Sequence, residues 1–199
     1  MNDKIILASQ SQIRCQLLAN AGIVFDAMPA RVDETAMRDA MLNEQASPRD
    51  VADALAEMKA RKISDKHPGR LVIGCDQVLS FERSILSKPQ SKEDAREQLT
   101  QMRGARHELL SAVVVYENGL PLWRHVGVVR MTMRFFSDQY RDEYLDRNWH
   151  SIQNAVGAYK LEEEGVRFFA RIDGDYFTVL GLPLLELLSF LTSRGDLKS

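Results

Sequence analysis

The chain alternates between segments typical of buried strands and segments typical of amphipathic helices, and this alternation restricts the folds open to it. Apolar runs at residues 4–8 and 71–74 predict buried strands. A long hairpin is predicted around the turn at residues 117–119, and a second one is predicted to pair residues 166–172 with 176–180. Together these elements predict an α/β fold, of three-layer α/β/α or α+β type, with a mixed sheet that includes antiparallel hairpins.

The predicted element boundaries place polar residues at strand and helix ends. The first strand ends in a polar turn at residues 9–12, and a polar loop is predicted at residues 31–35. Ser47 is expected to cap a helix, and Lys59 is expected near the end of the same helix. Asp76 is expected just past the apolar part of its strand. The polar candidates for chemistry therefore lie where elements begin or end.

The charge of the chain is nearly balanced, with 26 Lys and Arg against 28 Asp and Glu and a net charge of −2. This balance argues against a nucleic-acid polymer or an anionic membrane as partner, because both require a basic excess. No stretch approaches the ~20 apolar residues of a membrane span, and no signal peptide is predicted. Two cysteines, Cys15 and Cys75, make no disulfide framework. We expect one soluble, cytoplasmic domain over residues 1–199.

Small polar residues follow the first predicted strand. Ser9, Ser11 and Arg14 stand where the chain turns into a helix, and the first amides of a helix have no acceptor within it. Such a helix start binds phosphate through its amides and the positive end of its dipole, and Arg14 can add a bidentate contact. The alternative is an ordinary N-terminal cap beside a surface arginine.

Carboxylates form the second group of candidates. Asp76 follows a buried-type strand, where a charge is unfavourable unless it is paired, metal-bound or catalytic. Open α/β sheets bind ligands in the crevice beyond the carboxyl ends of their strands. Asp76 and Glu34 could share Mg²⁺, which takes oxygen ligands and often holds substrate phosphate as well. The alternative is a turn aspartate that accepts a local hydrogen bond.

Lys59 and Lys88 are further candidates, although each taken singly is better explained as a solvated charge. The four histidines show no metal-ligand spacing. The sequence contains no Walker loop, no dinucleotide-binding glycine motif and no Cys-x-x-Cys. Acyl-transfer, P-loop and zinc chemistry therefore lose support.

Several short stretches follow one another in a recognisable order. They are Leu-Ala-Ser-x-Ser-x-x-Arg-x-x-Leu-Leu from Leu7, Val-Asp-Glu-Thr from Val32, Lys-Ala from Lys59, Ile-Gly-Cys-Asp-Gln-Val from Ile73, Lys-Pro from Lys88, Val-Gly-Ala-Tyr from Val156 and Val-Leu-Gly-Leu-Pro-Leu from Val179. In this order they resemble the Maf family of nucleotide pyrophosphatases, over residues 5–191. The resemblance implies one α/β/α-type domain with two lobes around a deep cleft. It also implies hydrolysis of a nucleoside triphosphate to monophosphate and pyrophosphate with a divalent cation, Mg²⁺ or Mn²⁺, and it suggests a homodimer.

The resemblance also implies roles for single residues. Asp76 matches the family's proton acceptor, and Lys59 and Lys88 match positions that line its catalytic cleft. Glu34 lines the same cleft and would hold the metal together with Asp76. The phosphate-binding loop of the family matches Ser9, Ser11 and Arg14.

Two further matched positions concern the base. Gln77 and Glu162 are similar to the subfamily that hydrolyses 7-methyl-GTP, and Glu162 would favour a cationic methylated base. The alternative to a role in base selection is that Glu162 belongs to a solvated acidic run over residues 162–164.

The substrate-binding loop departs from the family pattern at three positions. Gln12-Ile13 stands where the family has Pro-Arg or Pro-Trp, and Cys15 replaces a second basic residue. Loss of a cation weakens phosphate binding. The alternative function is therefore a catalytically weak nucleotide-binding or cell-division regulatory protein that retains the fold.

Overall fold

The computed structural model describes residues 5–198, so that Lys4, at the start of the first predicted strand, lies outside the described residues. The described residues form a mixed α/β fold, as predicted. Their strands are β1 (Ile5–Leu7), β2 (Asp26–Ala27), β3 (Leu71–Phe81), β4 (Ser84–Leu86), β5 (Arg106–Glu117), β6 (Leu120–Met133) and β7 (Phe169–Asp173). Their α-helices are α1 (Gln12–Asn20), α2 (Glu34–Asn43), α3 (Pro48–Ser64), α4 (Lys92–Met102), α5 (Asp138–Ile152), α6 (Tyr176–Val179) and α7 (Leu184–Arg194).

The strands form one mixed sheet in the order β2-β1-β3-β5-β6-β7, and β4 also pairs with β3. β1 is parallel to both of its neighbours, with Ile6 opposite Asp26 on one side and Val72 on the other. β4 is antiparallel to β3, and β7 is antiparallel to β6. β5 and β6 are joined at Asn118-Gly119, where both residues have positive φ, 54° and 74°. This is the Asn-Gly turn typical of tight hairpins.

The contacts divide the chain into two compact units. Of the described residues, unit 1 comprises 5–77, 110–127 and 176–198, and unit 2 comprises 78–109 and 128–175. The predicted single domain over residues 1–199, with its cleft, stays a prediction.

Serine side chains begin four of the helices, and the predicted cap Ser47 is one of them. The hydroxyl oxygens of Ser11, Ser47, Ser91 and Ser137 each accept a hydrogen bond from a backbone amide of the helix that follows. Each cap satisfies an amide that has no acceptor within its helix.

Two predicted segments are wrong. The polar loop at 31–35 ends early, because Glu34 is the first residue of α2 and the carboxylate of Asp33 accepts from the amide of Ala36 at 3.0 Å. Residues 176–180 do not form a strand but the short helix α6, and β7 pairs with β6 instead. Side chains from β3 and β5 hold the carbonyl groups of α6, which the local sequence cannot reveal.

Within unit 1, α3 lies unusually close to β3. A Cβ atom built on Gly74 would lie 2.2 Å from the backbone oxygen of Ala56 and 2.8 Å from the Cβ of Ala60. Ala56 and Ala60 are fully buried. Small residues on both elements therefore permit the close approach that sets the distance between α3 and β3.

We expect Gly74→Ala to lower the free energy of unfolding by about 2 kcal/mol, because overpacking a rigid contact costs ~1–3 kcal/mol. Urea unfolding followed by circular dichroism measures the change. The added Ala60→Gly substitution should not restore stability, since the closest atom is the main-chain oxygen of Ala56. If Gly74→Ala unfolded with the same urea midpoint as the wild type, this result would contradict the close approach of α3 to β3.

Unit 2 contains a buried histidine. His107 is 2% exposed, and its Nε2 lies 2.7 Å from the hydroxyl of Tyr159. Its ring also packs against Phe169, with ring centroids 5.9 Å apart. Burial lowers the pKa of His107 to about 4. The imidazole is therefore neutral in the folded protein at pH 6, whereas it is partly charged in the unfolded chain.

This difference makes stability depend on pH. Between pH 6.5 and about 4 the unfolded chain binds a proton that native His107 does not, so stability falls on acidification. We expect this group to remove about 3 kcal/mol over that window, at 1.36 kcal/mol per pKa unit. Urea unfolding at pH 7, 6, 5 and 4 should give a shallower decline for His107→Phe than for wild type. His150→Gln, at an exposed position, should keep the wild-type decline.

Within residues 5–198, no helix is both long enough and apolar enough to cross a membrane.

Candidate active site

The turn after β1 brings Ser9, Ser11 and Arg14 together. The hydroxyl oxygen of Ser9 accepts from the amide of Ser11 at 3.2 Å, and Ser11 caps α1 by accepting from the amide of Arg14 at 3.5 Å. The amides of Gln12 and Ile13, at the start of α1, have no acceptor within the helix. The turn is thus a helix start of the kind that binds anions.

Arg14 is held by main-chain oxygens of unit 1. Its Nε donates to the carbonyl of Gly181 at 2.7 Å, and its Nη1 donates to the carbonyl of Cys75 at 3.2 Å. Nη1 also lies 3.5 Å from the hydroxyl of Ser9. The guanidinium is therefore a fixed part of the site, and its Nη2 makes no hydrogen bond to the described part of the chain.

Lys59 joins two carboxylates. Its Nζ lies 2.6 Å from Oδ1 of Asp76 and 2.9 Å from Oε1 of Glu34. Lys59 and Asp76 are 8% and 6% exposed, whereas the side chain of Glu34 is 43% exposed. The cluster is therefore buried at Lys59 and Asp76 and reaches solvent at Glu34. These are three of the four residues that the sequence motifs place at catalytic and metal positions.

Asp76 lies in the middle of β3 and not past its end, which corrects the predicted boundary. The neighbouring strand β1 pairs with β3 only as far as Ile73, so the site lies beyond the end of β1. Lys59 likewise lies inside α3, which continues to Ser64. The expectation that the site lies beyond the carboxyl end of a strand therefore holds for β1, whereas β3 continues through the site.

Burial dominates the electrostatics of Asp76. Desolvation raises the pKa of its carboxyl, while the positive charges of Lys59 and Arg14 offset part of this effect. A carboxylate with a raised pKa is a better proton acceptor near neutral pH than an ordinary aspartate. The adjacent Cys75 is fully buried, and burial raises the pKa of its thiol to about 11, so it is not an available nucleophile.

Gln77 also lies in β3, beside Asp76. Its amide nitrogen is 2.9 Å from the hydroxyl of Ser111, 2.9 Å from the carbonyl of Val179 and 3.2 Å from the carbonyl of Thr178. The hydroxyl of Ser111 donates to the carbonyl of Thr178 at 2.7 Å. Carbonyl oxygens only accept, so the nitrogen end of the amide faces them.

Three predicted residues remain, of which one belongs to unit 1 and two belong to unit 2. Ile13 is half-buried and packs against the apolar core of unit 1. Lys88 lies exposed in unit 2, in the loop between β4 and α4, and Glu162 is exposed in the same unit. Within the described residues the side chain of Glu162 makes no hydrogen bond or ion pair. Its neighbour Glu164 binds Arg147 at 2.8 Å, so the acidic run is not uniformly solvated.

The structure adds three residues that are not among the predicted site residues. Ser111 and the carbonyl groups of Cys75 and Gly181 hold Gln77 and Arg14 in place. The sequence signals two of the three, because Cys75 and Gly181 each lie within a family motif. Ser111 lies inside an apolar strand and gives no comparable signal.

The cluster offers two carboxylates as ligands for a divalent cation, and no third protein ligand among the described residues. Among the described residues, no three His, Cys, Asp or Glu side chains converge on one point. Glu34 and Asp76 nevertheless face one cation, the ammonium of Lys59. Mg²⁺ is usually held by one or two carboxylates together with water and substrate phosphate. The donor set therefore fits an ion that a bound phosphate completes.

A groove of about 820 Å³ opens beside the same turn in unit 1, and Ser9, Gln12, Cys15, Phe25 and Arg31 are among its lining residues. Its size falls within the range of small-molecule sites. The phosphate-type turn therefore has room for a ligand next to it.

Comparison with known proteins decides the family. The family model described as "Maf-like protein" matches residues 4–194. The chain belongs to the Maf family. It is 62% identical to "Nucleoside triphosphate pyrophosphatase" of Roseobacter denitrificans, covering 99% of both chains, and 63% identical to the protein of that name from Ruegeria pomeroyi, covering 98% of both. The protein named "7-methyl-GTP pyrophosphatase" of Brucella suis is 47% identical to this Maf chain over 96% of both.

Proposed function

We propose that this Maf protein is a nucleoside triphosphate pyrophosphatase, which hydrolyses the bond between the α- and β-phosphates to give a nucleoside monophosphate and pyrophosphate. The observation that carries the proposal is the buried Asp76–Lys59 pair next to the anion-type turn of Ser9 and Arg14 in unit 1. The names of the similar relatives support the same reaction.

In the proposed mechanism, the phosphate chain binds at the start of α1. The first-turn amides, the hydroxyls of Ser9 and Ser11 and the guanidinium of Arg14 offset its negative charge. The loop departs from the family at Ile13, yet the amides depend on the backbone and not on that side chain. Arg14 supplies the side-chain cation.

Asp76 acts as the general base. Its Oδ1 accepts from Lys59, and Oδ2 is the oxygen left to take a proton from the attacking water. The water oxygen forms a bond to the α-phosphorus, the bond to the bridging oxygen breaks, and pyrophosphate leaves with the electron pair. Lys59 and, as a prediction from its matched position, Lys88 stabilise the charge that develops on the leaving group.

A divalent cation, Mg²⁺ or Mn²⁺, would be held by Glu34 and Asp76, and when bound it neutralises phosphate charge in the transition state. Burial of Lys59 and Asp76 strengthens the charge interactions that these two groups make.

The test is a panel of nucleoside triphosphates with the purified protein, with Mg²⁺, with Mn²⁺ and with neither, measuring pyrophosphate release. We expect turnover of at least one nucleotide, with monophosphate and pyrophosphate formed in equal amounts. Release of inorganic phosphate alone would contradict the position of cleavage. Tight binding without turnover across the panel would support a nucleotide-binding regulator instead.

We further propose that the preferred nucleotide carries a modified base such as 7-methylguanine, and that Glu162 contributes to this preference. Its carboxylate is exposed and makes no hydrogen bond or ion pair within the described residues, so it is available to a ligand. A carboxylate accepts hydrogen bonds from the guanine edge and favours a cationic ring.

For Glu162→Gln we expect the ratio of kcat/KM for 7-methyl-GTP over GTP to fall roughly tenfold, since one charged hydrogen bond contributes ~1.5–3 kcal/mol. Steady-state kinetics with both nucleotides measure it. Glu163→Gln is the matched control, because Glu163 already binds Ser151 and Lys160. An unchanged ratio in Glu162→Gln would remove Glu162 from base selection.

The two cysteines are free, and one of them, Cys75, is fully buried, which supports a reducing compartment such as the cytoplasm. The homodimer stays a prediction.

A further inference from the structure

The segment of unit 2 that carries Glu162 follows a strained stretch of main chain. Gly157 and Ala158, which precede it, both have positive φ, 76° and 57°. Ala158 is also fully buried, and this left-handed region is unfavourable for a residue that has a Cβ atom. Strained backbone of this kind persists only where the surrounding contacts hold it. The conformation of the segment therefore depends on its anchors.

Tyr159 anchors the segment on the N-terminal side of Glu162. Its side chain is 4% exposed, and its hydroxyl lies 2.7 Å from Nε2 of His107. Its ring meets the ring of Phe169 edge-on, with centroids 4.8 Å apart. Nδ1 of His107 is buried and has no hydrogen-bond partner among residues 5–198. The contact with Tyr159 is therefore the one hydrogen bond that this imidazole makes within the described part of the chain.

Glu164 anchors the segment on the C-terminal side. Its carboxylate accepts from Nη2 of Arg147 and from Nδ2 of Asn148, both on α5 and both at 2.8 Å. Between the two anchors, Glu162 is exposed and makes no hydrogen bond or ion pair within the described residues. The main chain between Tyr159 and Glu164 therefore sets the direction in which the carboxylate of Glu162 is presented.

From this arrangement we infer that His107 is a positioning residue for base selection, acting through Tyr159 on the segment that presents Glu162. The inference rests on the proposed role of Glu162 in the preference for a methylated base. His107 is 2% exposed, so the imidazole is not itself accessible to a ligand. Without the hydrogen bond a buried polar group is left unpaired, which favours other conformations of the strained segment.

The monophosphates 7-methyl-GMP and GMP test the inference, because they differ at the base and their binding requires no turnover. Isothermal titration calorimetry gives both dissociation constants for wild type, Tyr159→Phe, His107→Phe and His107→Gln. Wild type should prefer 7-methyl-GMP, and both phenylalanine variants should reduce this preference about threefold to fivefold. His107→Gln should stay within about twofold of wild type, because its amide can replace Nε2 as hydrogen-bond partner.

Two further variants separate positioning from a general loss of stability. Tyr159→Phe added to Glu162→Gln should leave the preference as it is in Glu162→Gln alone, since both changes act on one carboxylate. Tyr116→Phe is the matched control, because it removes a buried hydroxyl of unit 1 that donates to Glu57. It should keep the wild-type preference, and an equal loss in this control would overturn the inference.

Thermal unfolding shows which variants are folded, and Tyr159→Phe, which removes a single oxygen atom, carries the test if His107→Phe is not. A reduced preference in Glu162→Gln with no change in Tyr159→Phe would overturn the role of His107 and leave Glu162 in base selection. A loss in Tyr159→Phe that is equally large with and without Glu162 would overturn it as well, and so would a wild type without preference. Failure of the proposed hydrolysis would instead appear in the nucleotide panel, while the dissociation constants of the monophosphates remained measurable.

Discussion

Asp76→Asn should lower kcat for nucleoside triphosphate hydrolysis by about 10²–10⁴-fold, the contribution typical of a general base. Asparagine keeps the size of the side chain but cannot take a proton from water. The ammonium of Lys59 keeps Glu34 as a partner at 2.9 Å, so the loss is not expected to arise from unfolding. Steady-state assays at saturating nucleotide, with circular dichroism as a folding control, measure the effect.

The pH profile provides an independent measurement of the same role. The active form has Asp76 deprotonated, so kcat/KM should fall as the pH drops through its pKa. Burial raises that pKa above the range of an ordinary aspartate, which moves the acidic limb of the profile toward neutral pH. The limb should disappear from the residual activity of Asp76→Asn. Near-wild-type turnover in that variant, with the fold intact, would exclude Asp76 as the base.

The sequence predicts the parts of this site that depend on local chemistry. Ser47 caps α3 as expected of a serine before an amphipathic stretch, and the Asn-Gly turn at 118–119 produces the predicted hairpin. The motifs also select Lys59, Glu34 and Asp76, which the structure brings within one salt-bridge cluster. These predictions succeed because each depends on residues close together in the chain or on a whole motif.

The contacts between distant segments could not be predicted in the same way. The strand-type composition of residues 176–180 predicts a hairpin, whereas donors from Gln77 and Ser111 hold two carbonyls of this segment. These donors are 101, 102 and 67 residues away along the chain from the carbonyls they bind. Tertiary hydrogen bonds of this kind override local propensity.

The pairing of Lys59 with Asp76 is likewise a tertiary effect, although small residues signal it. Ala56, Ala60 and Gly74 allow α3 to approach β3 so closely that no side-chain atom fits between them at Gly74. A lysine one residue before Ala60 then reaches a carboxylate two residues after Gly74. Spacing of small residues therefore indicates a close helix–strand contact, but not which charged groups it will pair.

Lys59→Met should lower the free energy of unfolding at pH 7 by about 3–5 kcal/mol, the cost of leaving one member of a buried ion pair without its partner. Asp76 is 6% exposed, so bulk water solvates its carboxylate too little to make up for the lost ammonium. Urea unfolding measures the change. Lys66→Met, at an exposed position just after α3, should stay within about 0.5 kcal/mol of wild type.

The double variant Lys59→Met/Asp76→Asn separates stability from catalysis. It carries no unpaired charge at position 76, so most of the stability lost in Lys59→Met should return, because replacing both members of a buried pair is often close to neutral. Its activity should stay as low as that of Asp76→Asn. If the double variant recovered neither stability nor activity, Lys59 would stabilise unit 1 through packing of its aliphatic chain. Recovery of stability alone would show that the pair is maintained for the reaction, at a position where a neutral pair would serve the fold equally well.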